Sequence, residues 1–474
     1  MIFLIILVIF LAVIIVRTIM FKPQDQTTNV SEPIEFDGDR FVDTLAELVK
    51  CKTVSYYDHD LEDDNEFEKL ISKLPELYPN VTKTLELKRF DGRALLFHWK
   101  GLEEGNPAVF MAHYDVVPVE EENWTKPAFE ALIEDGIMWG RGTLDTKITF
   151  NGVMAAGEHL LSKGFIPKHD IYFAFSGGEE VGGPGAAQIV HYFKDLGITP
   201  SFVLDEGGAV VQNIFPGVSD PCGMIGIAEK GSVNVVLTCK SNGGHASAPS
   251  PHTPIGILSK ACQKVEDHPF KAHFDGAVGE MFDQLGRRSS FLYRMIFANM
   301  WCFSWILNLI CKKQGGQLNA LVRTTVAFTQ MKGSLAPNVV PPNASMIANV
   351  RINPSDNIES VINHFKQVIN DDRVDVSCNE GSEPSHVSTT DCDGFRFIKK
   401  AVEDTWQGSI ATPYLMIQCS DSRHYDSLSN RVFRFSAMDV TSEELEGIHG
   451  NDEHARISTI KHAVEFFIRV MKEC

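Results

Sequence analysis

No CxxC pair occurs among the 10 cysteines of this 474-residue chain. That absence argues against a thiolate metal site, and scattered thiols at these spacings read as core residues. Two pairs, Cys302/Cys311 and Cys378/Cys392, are close enough in sequence to form local disulfides if the chain folds in an oxidising compartment. Basic clusters are missing as well. Lys and Arg number 43 against 62 Asp and Glu, for a formal charge of -19. That balance speaks against a nucleic-acid partner. There is no low-complexity tract and no repeat of solenoid period. The apolar run that opens the chain has no basic residues before it and no small-residue cleavage site after it. A cleaved signal peptide would carry both, so the run reads as a retained anchor.

The run itself covers residues 2–16 without interruption. At about 1.5 Å per residue it is short of a ~30 Å hydrocarbon core. Extended through Arg17, whose side chain can snorkel, to Phe21, it is long enough. Residues 1–21 are therefore expected to be a membrane segment, and the polar, proline-containing stretch 22–35 a linker. Topology signals conflict. Arg17 and Lys22 after the run favour a cytosolic domain, whereas N-x-S/T sequons at Asn29, Asn80, Asn123 and Asn343 suit a lumenal one.

The remaining length exceeds what one core usually holds, so two folded units are expected. Residues 36–229 alternate short apolar strands (108–112, 170–175, 201–204) with helical stretches (148–161, 184–196). That βαβ order predicts an α/β fold, a mostly parallel sheet flanked by helices. Residues 230–380 change texture. Strands are predicted at 233–238, 324–330, 345–351 and 374–378, with helices at 253–265 and 357–370. This β-α-β-β-α-β order predicts an inserted ferredoxin-like α+β domain. Residues 381–474 return to the first domain. Residues 270–321 are extra material inside the small domain, and 295–311 (MIFANMWCFSWILNLIC) is strongly apolar. With Asn299, Ser304 and Asn308 inside 17 residues, a buried helix, or one lining an apolar ligand site, fits better than a second membrane span.

Four groups of candidate ligands sit in order along the predicted βα units. They are His113 and Asp115 in FMAHYDVVP, Asp145 in GRGTLDTK, Glu179 and Glu180 in FAFSGGEEVGG, and Asp205 in FVLDEGG. In open α/β sheets the carboxyl ends of strands face the ligand crevice. Carboxylates gathered there cannot all ionise without cations. A His/Asp/Glu set without thiolate suits zinc ahead of manganese or cobalt. Any one group alone is an ordinary acidic loop; four in succession are hard to explain that way.

The segments MAHYDVVP, GRGTLDTK, DEGG, AEKGS, GGHASAP, LVRTT, NVVPP, NVRINP, SDSR and GIHG occur in order from Phe36 to the C-terminus. In these the chain resembles the aminoacylase/carboxypeptidase family of co-catalytic zinc metallopeptidases. The resemblance implies an enzyme that cuts, and can also form, amide bonds of N-acyl amino acids or small peptides. N-fatty-acyl amino acids are the first expectation, small peptides the second, and a silent binding protein on the same fold the third. It implies two Zn2+ per chain, with Asp145 bridging them, His113 and Asp205 completing one site, and Glu180 and His449 the other. Asp115 would orient a ligand imidazole and Glu179 would be the general base. The small domain would be a lid and dimerisation domain. It would supply His245 to the scissile carbonyl, across a homodimer interface, and Asn338 and Arg351 to the substrate carboxylate. Secreted members of the family, together with the sequons, set the expected location as membrane-anchored or secreted, with the catalytic domain lumenal or extracellular.

Overall fold

The structure is a computed structural model that describes residues 1–23, 31–379 and 381–474. Its larger sheet has eight strands, in the spatial order Glu86–Phe90, Ala94–Trp99, Ile171–Ser176, Ala108–His113, Phe202–Val211, Val432–Asp439, Cys222–Glu229, Ile410–Met416. Ala108–His113 runs parallel to both its neighbours. It is buried at every position, as a strand covered on both faces must be. Its alternate residues serve two cores. Phe110 and Ala112 face Lys147–Ser162 and Ile457–Lys472. Val109 and Met111 face Ala186, Ile189 and Phe193 of the helix Gly185–Asp195. The expected α/β architecture is thus present.

The second sheet is antiparallel throughout. Its order is Thr325–Lys332, Asn343–Ile352, Gly231–Lys240, Val374–Cys378. Counted along the chain this is 2-3-1-4 with helices Pro254–Asp267 and Ile358–Ile369 between strands, the ferredoxin-like arrangement. Gly231–Lys240 alternates buried and more open positions, so one face packs on those helices in a separate core. Cys222–Glu229 belongs to the large sheet and Gly231–Lys240 to the small one, which makes Lys230 the crossing point. Its buried ammonium donates to the carbonyls of Ala320 and Arg323 and to Thr325 Oγ1.

The extra segment differs from expectation. Its helices Gly276–Arg288, Phe291–Ala298 and Met300–Gln314 pack into the core of the large domain through Phe282, Leu285, Phe297, Leu307 and Cys311. The apolar stretch 295–311 is not one buried helix. It is divided at Asn299 between two helices that meet at 112°. Trp301 is 57% exposed and Trp305 65%. A helical apolar stripe wider than the core it faces leaves the remainder outside, and that happens here. All ten cysteines are free thiols, and neither Cys302/Cys311 nor Cys378/Cys392 is bridged.

The N-terminal helix Ile2–Met20 has a mean hydropathy of 3.2, and only Ile14 and Thr18 are buried. It has the length and apolarity of a membrane anchor or a signal sequence. Of the sequons, Asn123 and Asn343 are exposed, whereas the Asn80 amide donates to the buried Glu158 carboxylate at 2.7 Å. Asn29 lies outside the described residues.

Candidate metal centre

The centre is assembled around Asp145, in the loop between Ile137–Trp139 and Lys147–Ser162. Its Oδ1 lies 3.2 Å from His113 Nε2 and its Oδ2 3.0 Å from His449 Nε2. One carboxylate therefore faces two imidazoles, one on each oxygen. The loop is held by Glu453, which is wholly buried. The Glu453 carboxylate accepts from the Arg141 guanidinium (2.7 Å) and from the backbone N–H of Gly142 (3.1 Å), Leu144 (2.7 Å) and Asp145 (3.1 Å). Four donors on one carboxylate fix the backbone that presents Asp145, in the manner of a second coordination shell.

His113 ends the strand Ala108–His113, so its ring enters the crevice at the strand's carboxyl end. Its Nδ1 lies 3.0 Å from the Asp115 carbonyl oxygen and 3.4 Å from the Asp115 carboxylate. That leaves Nε2 for the cluster. The Asp115 carboxylate also accepts the backbone N–H of Glu179 (3.1 Å) and of Glu180 (3.2 Å). Asp115 thus aligns one imidazole and two glutamates without entering the cluster. The two glutamates diverge: Glu180 Oε2 is 3.0 Å from His449 Nε2, while Glu179 groups with His113 and Glu206.

Glu206 was not among the residues singled out in the sequence. Its Oε1 lies 3.4 Å from His113 Nε2. The neighbouring Asp205, the expected ligand, turns its Oδ2 to the backbone N–H of Ser422 at 3.0 Å. The strand is irregular between Asp205 and Gly208, and there it is the Glu206 carboxylate that comes within reach of the His113 ring. In FVLDEGG the two acids look alike, and packing decides which of them faces the cleft. Asp421 also went unnoticed. It is buried and accepts from Ser176 Oγ at 2.6 Å.

Two overlapping groups have ligand atoms within 4.8 Å of one another: His113, Asp145 and Glu180, and His113, Glu179 and Glu206. Donation to the Asp145 and Glu180 carboxylates pushes the His449 imidazole up to about 10. Burial opposes ionisation of Asp145, but His113 and His449 hold its carboxyl well below the usual range. Burial pushes Glu206 up to about 8, reinforced by Asp145 and Asp205 and opposed by His113. Burial likewise raises Glu179 well above the ordinary carboxylate range, with Glu206 and Asp421 adding to it. Such a cluster is short of positive charge, and cations relieve it. Glu180 Oε1 supplies an independent sign of fit. It is buried and has no hydrogen-bond partner among the described residues. A carboxylate oxygen in that position suits a metal ion.

The substrate-side residues are placed differently. Arg351, near the end of Asn343–Ile352, donates Nη1 to Cys419 Sγ at 3.4 Å. It therefore sits at the seam between the two sheets, beside Lys230, whose ammonium burial lowers to about 7 with Arg351 adding to the shift. His245 and Asn338 come together at the edge of the small domain. There Gly244–His245 pairs with Val339–Val340, and the Ala246 N–H donates to the Asn338 carbonyl at 2.9 Å. His245 is exposed, and its Nδ1 pairs with Ser247 Oγ. Among the described residues neither makes a hydrogen bond to the metal cluster.

The sequence profile of Peptidase family M20/M25/M40 matches residues 109–473. The chain belongs to this family. It is 34% identical to a probable carboxypeptidase S-like 2 of Dictyostelium discoideum, over 98% of this chain and 91% of that one. It is 32% identical to an N-fatty-acyl-amino acid synthase/hydrolase of Xenopus tropicalis, over 99% and 94%. Among solved structures it shares its fold with an M20 family metallo-carboxypeptidase of Sulfolobus solfataricus, at a TM-score of 0.65, 17% identity and coverage of 91% and 99%. This M20 chain is a metallopeptidase-type hydrolase of peptide or amide bonds. The family's metal site is dinuclear, and the ligand groups around Asp145 are its candidates here.

Proposed function

We propose that this M20 hydrolase cleaves, and in reverse forms, the amide bond of N-fatty-acyl amino acids. The observation that carries the chemistry is Asp145 shared between His113 and His449, with Glu180 beside one imidazole and Glu206 beside the other. Two Zn2+ fit these donors, with Asp145 as the bridge, His113 and Glu206 on one side, and Glu180 and His449 on the other. Glu206 takes the place first given to Asp205. Bound there, the ions supply Lewis-acid polarisation of the scissile carbonyl and acidify water. Glu179, not needed as a ligand in this scheme, takes a proton from the attacking water and returns it to the leaving amine. Asp115 keeps His113 and both glutamates in register. Arg351 is given the substrate carboxylate, for which its fork is suited.

The Glu206 assignment is checked by metal content. Glu206→Gln is expected to lower metal affinity by at least the 10- to 100-fold typical of lost second-shell partners. Asp205→Asn should bind metal more tightly than Glu206→Gln. The reverse order would restore Asp205 as the ligand.

The acyl-amino-acid reading is supported by the Xenopus relative, and the Dictyostelium carboxypeptidase S-like relative favours a second, small peptides with a free carboxylate. Purified full-length enzyme assayed on N-oleoyl-phenylalanine, N-acetyl amino acids and Gly-Xaa dipeptides separates them. The highest kcat/KM is expected for N-oleoyl-phenylalanine. Cleavage of dipeptides alone would overturn that choice while leaving the metal chemistry intact.

His245 and Asn338 reach a substrate only from a second copy in this scheme. A homodimer by light scattering, with loss of activity in His245→Ala, supports it; a fully active monomer refutes it. The helix Ile2–Met20 is taken as an anchor that leaves the enzyme lumenal or extracellular. A glycosidase-sensitive mobility shift is expected, and its absence together with protease access from the cytosol would reverse the topology.

A further inference from the structure

The helices Phe291–Ala298 and Met300–Gln314 leave a broad apolar face uncovered. Phe291 (57%), Leu292 (64%), Trp301 (57%), Trp305 (65%) and Leu309 (59%) are all exposed. Their other side is anchored in the large-domain core by Phe297, Leu307 and Cys311. An exposed patch of this kind, presenting large aromatics on a fixed base, marks an interaction surface.

The face continues directly into the N-terminal helix. The Arg17 guanidinium donates to the Ala298 carbonyl at 3.2 and 3.1 Å. The fully buried Asn299 donates its amide to the Ile14 carbonyl and to Thr18 Oγ1, both at 3.3 Å. Phe10 and Trp301 meet edge to face at 5.8 Å between ring centroids. Polar side chains thus tie the helix Ile2–Met20 to the bend at Asn299, and the apolar surfaces of all three helices merge. Phe10 lies ten residues before Met20, about 15 Å along the helix axis, which is half of a ~30 Å hydrocarbon core. Whatever surrounds the outer half of Ile2–Met20 also reaches Trp301.

Charge singles out the occupant. The chain carries a formal charge of -19, yet residues 291–314 contain Arg294, Lys312 and Lys313 and no Asp or Glu. Arg287 and Arg288 end the preceding helix, and Arg287 stacks over Phe21 at 4.3 Å. Aromatic and aliphatic residues on one face with cations at the margins is the pattern of helices that lie in a lipid–water interface. Lys and Arg at the margins of such helices reach lipid phosphates and add to binding.

We propose that Phe291–Ala298 and Met300–Gln314 are embedded in one leaflet of a phospholipid bilayer beside Ile2–Met20, so that the catalytic domain is held against the membrane at two places. The inference concerns the surface alone and stands whichever substrate the enzyme cleaves. It also requires that Ile2–Met20 remains part of the working protein, since the apolar face is continuous with that helix through Phe10 and Trp301.

Tryptophan fluorescence reads this directly. Of the six tryptophans, Trp99, Trp124 and Trp406 are buried and Trp139 is half-buried against His454, so Trp301 and Trp305 are the strongly exposed ones. Full-length protein is reconstituted in phosphatidylcholine/phosphatidylserine vesicles whose acyl chains carry bromine, a contact quencher. Strong quenching relative to unbrominated vesicles is expected, with most of it lost in the Trp301→Phe/Trp305→Phe double variant. That variant should keep wild-type turnover of a water-soluble N-acetyl amino acid, or of a dipeptide if only dipeptides are cleaved, which shows that it is folded. Quenching that is absent in the wild type, or unchanged in the double variant, overturns the proposal. So does a cross-link that joins this face to the same face of a second copy in the membrane.

Discussion

Glu179→Gln is expected to lower kcat about 10²–10⁴-fold, and further because one group both accepts and delivers the proton. The reason is specific to the side chain. Glutamine keeps the shape of Glu179, and the backbone N–H still donates to Asp115 as it does now at 3.1 Å. The fold and the His113, Asp145 and Glu180 group are therefore retained. What disappears is an oxygen able to take a proton at neutral pH. The loss should fall on kcat with KM little changed, since Arg351 and its surroundings are untouched. Steady-state kinetics with parallel metal analysis makes the check. Near-wild-type turnover with metal bound would show that Glu179 is not the base.

Asp145→Ala is expected to act by another route. Each of its oxygens faces a different imidazole, at 3.2 and 3.0 Å. Removing them takes away the only group that both halves of the centre share in this scheme. Loss of a second-shell partner costs about 10–100-fold in metal affinity, and a shared ligand should exceed that. Metal per chain after gel filtration should fall below one, and activity should vanish with it. Excess metal should restore little. An Asp145→Ala protein that keeps its full metal complement would contradict the bridging role. The two variants are thus distinguished by one measurement: Glu179→Gln is inactive with metal, Asp145→Ala inactive without it.

Much of this was legible in the sequence because periodicity and local chemistry agree. The strand Ala108–His113 was readable from AVFMA followed by a polar turn, and its carboxyl end places His113 in the crevice. The small domain was readable from its order of elements, down to the helix Ile358–Ile369, which begins with a capping box at Asn357. The resemblance points to Asp205, but adjacent acids on a strand look equivalent in one dimension. The face each presents depends on Ser422, 217 residues away, which captures Asp205. The stretch 295–311 misled for a related reason. Apolarity says that a face avoids water, not what covers it, and the bend at Asn299 is stabilised by contacts with Ile14 and Thr18 at the other end of the chain. The role of Glu453 was equally hidden, because a buried carboxylate bound by Arg141 and three backbone N–H groups looks in sequence like any loop acid.

The central claim is a two-metal centre built on Asp145, and counting metal in active enzyme tests it most directly. Elemental analysis of purified, unchelated, fully active protein should give two transition-metal ions per chain, predominantly zinc. Fully active protein containing no transition metal would contradict it.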